Sequence, residues 1–162
     1  MNITIKEGNE RFGVRAGAIL LNNDESKIFV QKQDKMDCYV FPGGRVELVE
    51  DSEDTIKREL EEELGITNED CKLRYIVESF VNRETKYHEI GFYYVVKIDE
   101  NKYNYIYDKQ YDSLDKNEGK SKYEWVDIND LNKYPFLVEC LIDRIKNNDY
   151  KKECIEYIKY MK

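Results

Sequence analysis

The residues best able to do chemistry lie close together, in the run Arg58-Glu59-Leu60-Glu61-Glu62-Glu63. If this stretch is helical, Glu59, Glu62 and Glu63 stand at i, i+3 and i+4 and share one face, a turn apart. Like charges at that spacing cost an isolated helix stability, so a structure that gathers them needs solvent or a cation beside them. Mg²⁺ and Mn²⁺ are hard ions that take oxygen ligands in octahedral sets and keep waters and substrate phosphate oxygens among them. Three carboxylates on one rigid helix would supply such a site. The plainer alternative is a solvated acidic face, in a chain with 34 Asp and Glu residues, because a run of charge is usually that.

The elements that must position these groups can be read outward from them. Residues 52–64 carry Ile56, Leu60 and Leu64 at i, i+4 and i+8, one narrow apolar stripe of a helix. Asp51 or Ser52 suits the N-cap, and Gly65 stands where a C-terminal glycine belongs. By wheel arithmetic the carboxylates lie roughly 107° from the stripe. The stripe then anchors the helix to a sheet, and the carboxylates point along its edge toward Pro42-Gly43-Gly44. The two adjacent glycines there mark a tight backbone path.

Residues 12–21 read as a buried strand, 22–26 as a turn and 27–33 as the returning arm of a hairpin. The segments 73–81 and 88–98 are rich in β-branched and aromatic residues and read as an antiparallel pair. A polar loop over 108–121 precedes a strand at 122–128 with a helix-like turn at its end. Pro135 then opens a second helix over 135–148. The tail from 151 to 162 fits either period. The order predicts a mixed α/β (α+β) sandwich, a central sheet held between helices, as one domain over 1–162.

Composition narrows the function. The chain is globular in character, with 41% hydrophobic and 13% aromatic residues. Its net charge of −8 would repel a polyanion, so nucleic-acid binding is disfavoured. A small phosphorylated substrate meets the same objection unless cations stand between. Cys38, Cys71, Cys140 and Cys154 form no C-x-x-C pair and His88 is the only histidine, a poor set for zinc. No secretory leader opens the sequence and no apolar run reaches the length of a membrane span, so a reducing cytoplasmic setting with free thiols is expected. Sheet edges and aromatic content permit a homodimer without requiring one.

The full spacing around the carboxylates is more specific than the carboxylates alone. Gly44 is followed by five residues, Glu50, seven residues, and then Arg58-Glu59-Leu60-Glu61-Glu62-Glu63-Leu64-Gly65-Ile66. This resembles the Nudix box, G-x5-E-x7-R-E-U-x-E-E-x-G-U with U apolar, and meets every specified position over residues 44–66. The preceding Phe41-Pro42-Gly43, the strand at 88–94 and the segment YEWVDI at 123–128 extend the resemblance more loosely.

That resemblance implies a Nudix fold and hydrolysis of a pyrophosphate linkage in a nucleoside diphosphate derivative, with Mg²⁺ or Mn²⁺ as cofactor. It implies that Glu59, Glu62 and Glu63 bind metal, helped by the carbonyl of Gly44, and that Glu62 or Glu63 serves as general base. It also implies that Arg58 pairs with a box glutamate and orients it, and that Glu50 supports the ligand geometry. Gly65 and Leu60 would be structural. Many members use a further glutamate from a later loop. Glu118 fits that place, with Glu89 and Glu124 as rivals that can equally be surface or strand residues. His88 reads more simply as a strand residue making structural hydrogen bonds. Tyr39, Phe41, Phe80 or Tyr93 could stack on a base, although each also suits a core. The proline of ADP-ribose hydrolases and the extended signature of NADH hydrolases are absent, and the tyrosine of dinucleoside-polyphosphate hydrolases is not clearly placed, Tyr87 lying a little too far along. This leaves an ordinary or modified nucleoside triphosphate as the default substrate. The alternative is a nucleotide-binding or regulatory module that keeps the fold without turnover.

Overall fold

The computed structural model describes residues 1–33, 38–82, 84–107, 111–114 and 121–162. Among these, nine strands form one mixed sheet: β1 (Thr4–Glu7), β2 (Glu10–Leu21), β3 (Lys27–Gln33), β4 (Tyr39–Val40), β5 (Lys72–Asn82), β6 (Lys86–Lys97), β7 (Tyr111–Asp112), β8 (Ser121–Asp127) and β9 (Glu156–Met161). The path across the sheet is β7-β8-β3-β2-β6-β5-β9, with β1 on β2 and β4 on β3. β2 and β6 run parallel over their whole length, from Glu10 opposite Lys86 to Leu21 opposite Lys97. β5 and β6 form the expected antiparallel pair.

Both faces of β2 are covered, which is why its second half reads as an unbroken apolar run. Ala16, Ala18 and Leu20 face α1 (Ser52–Leu64), where they pack with Ile56, Leu60 and Leu64. Ile19 and Leu21 face the other way, toward Ile142 and Ile145 of α2 (Ile142–Lys146). The sandwich is as expected. Its second helical layer is not, because α2 has five residues where a helix over 135–148 was anticipated. Phe136 instead forms a parallel bridge with Tyr39, and residues 137–138 turn. Tyr39 donates its N–H to the Pro135 carbonyl at 2.7 Å, and Leu137 donates to the Tyr39 carbonyl at 3.0 Å. This pairing puts Phe136 and Val138 into the core, and tertiary packing overrides the proline signal for a helix start. The tail resolves as a strand parallel to β5, with Ile158 buried.

The expected hairpin of β2 and β3 pairs only at its turn, Leu20 with Phe29 and Leu21 with Ile28. The rest of that edge of β2 is shared. β1, which the sequence reading did not separate, takes Glu10 to Gly13. Residues 42–46 take the middle: Ala18 donates to the Pro42 carbonyl at 2.8 Å, Ala16 to the Gly44 carbonyl at 2.9 Å, and Val46 to the Val14 carbonyl at 3.0 Å. Gly43 can follow this path because it lacks a side chain. Its φ is +132°, and a Cβ would lie 2.3 Å from the Ala16 carbonyl oxygen.

α1 is bounded as its caps predict. The Asp51 carboxylate accepts the N–H groups of Glu53 at 2.9 Å and Asp54 at 2.8 Å. Gly65 turns left-handed at φ +67°, with its N–H on the Glu61 carbonyl and that of Ile66 on the Leu60 carbonyl. The next carbonyls are satisfied from far along the chain. Leu114 donates its N–H to the Glu63 carbonyl at 2.9 Å, and the Tyr105 hydroxyl donates to that of Leu64 at 2.8 Å.

The two glycines should respond differently to alanine. Gly43→Ala meets backbone in a forbidden conformation and is expected to cost about 2–4 kcal/mol. Gly65→Ala, strained by its left-handed cap and meeting nothing closer than the Tyr105 hydroxyl at 3.2 Å, should cost about 1–2 kcal/mol. Urea unfolding of the two variants checks the order.

Candidate active site

The helix face that carries the carboxylates is not a solvated one. Glu59 and Glu63 are buried, at 8% and 1% exposure, beside the apolar stripe, whereas the Glu62 side chain is half exposed. Buried carboxylates require partners, and three elements supply them.

The first is Arg58, one residue before. Its Nε donates to Glu50 Oε1 at 2.8 Å and its Nη2 to Glu50 Oε2 at 3.1 Å, a two-pronged pairing that fits a planar guanidinium to a carboxylate. Its Nη1 then reaches Glu59 Oε1 at 2.8 Å and Glu62 Oε2 at 3.2 Å. Thr55 and the Glu47 N–H also donate to Glu50, at 2.8 and 3.2 Å. The Arg58 bond, with help from Thr55 and Glu47 against the cost of burial, holds the Glu50 carboxyl down to about 2. The Arg58 guanidinium is correspondingly raised, first by its bond to Glu50.

The second is the glycine loop. A Cβ on Gly44 would lie 2.2 Å from the Glu59 carboxylate, so the missing side chain is the space in which that carboxylate rests. The third is β8, where the Tyr123 hydroxyl donates to Glu63 Oε2 at 2.7 Å.

Arg15 stands behind the loop. Its Nη2 donates to the carbonyls of Phe41 at 3.1 Å and Gly43 at 3.2 Å, on either side of Pro42. Burial works against its charge, but the neighbouring Tyr93, Glu89 and Glu63 outweigh this and raise its pKa. Sequence reasoning missed Arg15 and Tyr123, because their partners lie tens of residues away. A lone cation inside the apolar run of β2 was the one available signal.

The structure therefore brings together Gly44, Glu50, Arg58, Glu59, Glu62 and Glu63. Glu118 lies outside the described residues. By strand alternation Glu124 shares its face with Val126, on the side of the sheet away from α1, and accepts the Tyr39 hydroxyl. Glu89 shares that far face with Tyr93 and accepts the Tyr87 hydroxyl at 2.8 Å. His88 bonds Glu78 at 2.9 Å and stacks on Phe80 at 4.3 Å, the structural role expected of it. Tyr39, Phe41 and Tyr93 are core residues, whereas Phe80 is half-buried. A cavity of about 580 Å³ lies along the end of the sheet beside Phe12, Phe80 and His88, and no residue of the box lines it.

The donor set suits a hard divalent cation: carboxylate oxygens on one rigid helix, with a backbone carbonyl at Gly44 that keeps a second lone pair beyond its bond to Ala16. Among the described residues no three side chains already converge as a metal cage. Glu59 and Glu62 turn to Arg58, and Glu63 to Tyr123. A cation entering this site would compete with Arg58 for Glu59 and Glu62.

A mixed sheet with a glycine loop on its central strand, and a capped helix presenting inward carboxylates to that loop, defines a Nudix-type hydrolase. The NUDIX domain model matches residues 11–143. The chain belongs to the Nudix family and is a Nudix pyrophosphohydrolase. A MutT structure described for Aliivibrio salmonicida and Vibrio cholerae superposes with a TM-score of 0.60 at 25% identity, covering 83% of this chain and 96% of that one. The MutT protein of Bacillus halodurans gives 0.62 at 19% identity, covering 92% and 89%. An Ap4A hydrolase of C. elegans gives 0.59 at 16%, covering 85% and 98%. The last two likenesses speak to the fold alone. A search of curated proteins finds no match. No helix among the described residues is long and apolar enough to cross a membrane.

The depressed Glu50 pKa has a signed consequence. A carboxyl lowered from 4.5 to about 2 contributes stability that is complete above pH 4.5 and is lost as pH falls through 2. Wild type should lose about 2–3 kcal/mol more than Glu50→Gln over that window. Urea midpoints measured from pH 6 to 2 test this, and parallel profiles would exclude the assignment.

Proposed function

We propose that this enzyme cleaves a phosphate–phosphate linkage in a nucleoside diphosphate derivative, by default an ordinary or modified nucleoside triphosphate. Mg²⁺ or Mn²⁺ would be held by Glu59, Glu62, Glu63 and the Gly44 carbonyl. The observation that carries this reading is the inward burial of Glu59 and Glu63 beside the space at Gly44. A solvated acidic face would leave both exposed.

When bound, a divalent cation neutralises phosphate oxygens and makes a water more acidic. The protein's own groups do the rest. α1 fixes the spacing of the three carboxylates. Arg58, braced by Glu50, holds Glu59 and Glu62. Glu62 is exposed enough to meet an incoming substrate. Glu62 or Glu63 takes the proton from the water that attacks phosphorus in line. The far-face positions of Glu89 and Glu124 favour Glu118 as the further carboxylate. A chain of net charge −8 accepts an anionic substrate once cations are in place. The cytoplasm, with its millimolar nucleotides and Mg²⁺, suits such an activity.

Wild type with Mg²⁺ should turn over at least one member of a panel of nucleoside triphosphates, dinucleoside polyphosphates and nucleotide sugars. Glu63→Gln should remove the activity while circular dichroism shows an unchanged fold. Equal inertness of both proteins across the panel would defeat the reading, and nucleotide-induced stabilisation without turnover would favour a binding module. Gly44→Ala offers a second check. The added methyl would push the buried Glu59 carboxylate off its place beside Arg58, so the variant should lose about 1–3 kcal/mol of stability while kcat falls roughly 10–100-fold.

A further inference from the structure

We propose that Tyr123 is a positioning residue for this reaction: its hydroxyl sets the direction of the Glu63 carboxylate. The inference rests on the role proposed above for Glu63. Tyr123 is fully buried and Glu63 nearly so, and the hydroxyl lies 2.7 Å from Oε2. Alternation along β8 turns Tyr123 and Trp125 to the α1 side. There the Tyr123 ring stacks on Phe29 at 5.7 Å and 20°. Phe29 is itself locked in the core beneath α1. The ring cannot swing without opening that core, so the hydroxyl is held at a fixed height over the helix.

Residue 63 is gripped a second time through its backbone, where Leu114 donates to its carbonyl. Main chain and side chain are thus both fastened by the segment that joins β6 to β8 and by β8 itself. Rotation of the carboxylate about its last bond is the freedom that the tyrosine removes.

The chemistry of the donor argues for a role beyond packing. A buried phenol needs an acceptor, and any backbone carbonyl would satisfy it. Burying a carboxylate for that purpose alone is far more costly. The pairing also differs from the one that serves Glu59 and Glu62. Arg58 holds those two with a full positive charge, which a divalent cation must oppose. Tyr123 is a neutral donor, so it directs the carboxylate and leaves its charge intact.

The test compares Tyr123→Phe with wild type by two readouts. Steady-state turnover of a nucleotide hydrolysed by wild type should show kcat reduced roughly 10–100-fold, with KM changed less than about threefold. Titration with Mn²⁺ alone, following the signal of the free ion by electron paramagnetic resonance, should show affinity weakened about tenfold. Tyr107→Phe is the control. It removes another buried hydroxyl, on a ring stacked at 4.6 Å on Trp125, that has no hydrogen-bond partner among the described residues. It should leave both quantities at wild-type values. Wild-type kcat and Mn²⁺ affinity in Tyr123→Phe would overturn the proposal, as would equal losses in the two tyrosine variants. Glu63→Gln separates the levels, because the ring stays in place. If that variant retains Mn²⁺ affinity and turnover, the reading of Glu63 itself fails. If it loses them, adding Tyr123→Phe to it should weaken Mn²⁺ affinity no further, and an additional loss would overturn the proposal.

Discussion

The missing side chain at Gly44 is the constraint on which the rest of the arrangement turns. Its amide plane is bonded to the central strand through Ala16, and its bare Cα admits the Glu59 carboxylate to a distance that no Cβ would allow. Strand, loop and helix are therefore registered against one another at a single point. The neighbouring Gly43 makes the same approach from below, against the Ala16 carbonyl. Arg15 ties the carbonyls on either side of Pro42.

Around that point the electrostatics follow a division of labour. One guanidinium is shared by Glu50, Glu59 and Glu62, and the strongest part of the sharing goes to Glu50. Glu50 is thus a brace for the cation, and the cation a brace for the carboxylates nearer the loop. Glu63 is served from across the sheet by a phenol. Such a cluster gathers negative charge without dissolving the helix that carries it, because every member has a directional partner. The apolar stripe on the adjoining face keeps the helix seated.

Much of this was legible in the sequence, and the reason is locality. The caps of α1 at Asp51 and Gly65, its stripe, the carboxylate spacing and the glycine path are all written within some two dozen residues. Contacts at i+3 and i+4 read directly from a helical period. The strands of the β5–β6 pair were legible because alternation and β-branched residues speak for themselves. What escaped was non-local. The bridge of Phe136 to Tyr39 overrode the helix signal of Pro135. β1 escaped because an exposed edge strand carries little apolar pattern. Arg15 and Tyr123 escaped because a residue's partner across a sheet is set by topology, which periodicity does not encode. Composition alone would also have placed Glu59 and Glu63 on the surface, where an acidic chain keeps most of its glutamates.

The way α1 ends has a consequence for how the molecule comes into being. Its last carbonyls are closed by Leu114 and Tyr105, and its innermost carboxylate by a partner 60 residues further on. Loops of that length form slowly, since their closure must precede any contact they make. During synthesis the whole motif is made before the segments that finish it. The helix can nucleate early from its own caps, but its Glu63 carboxylate meets its phenol partner only when β8 has docked. Assembly of the carboxylate cluster is thus timed to near completion of the sheet, so a nascent or partly unfolded chain carries the motif without the geometry.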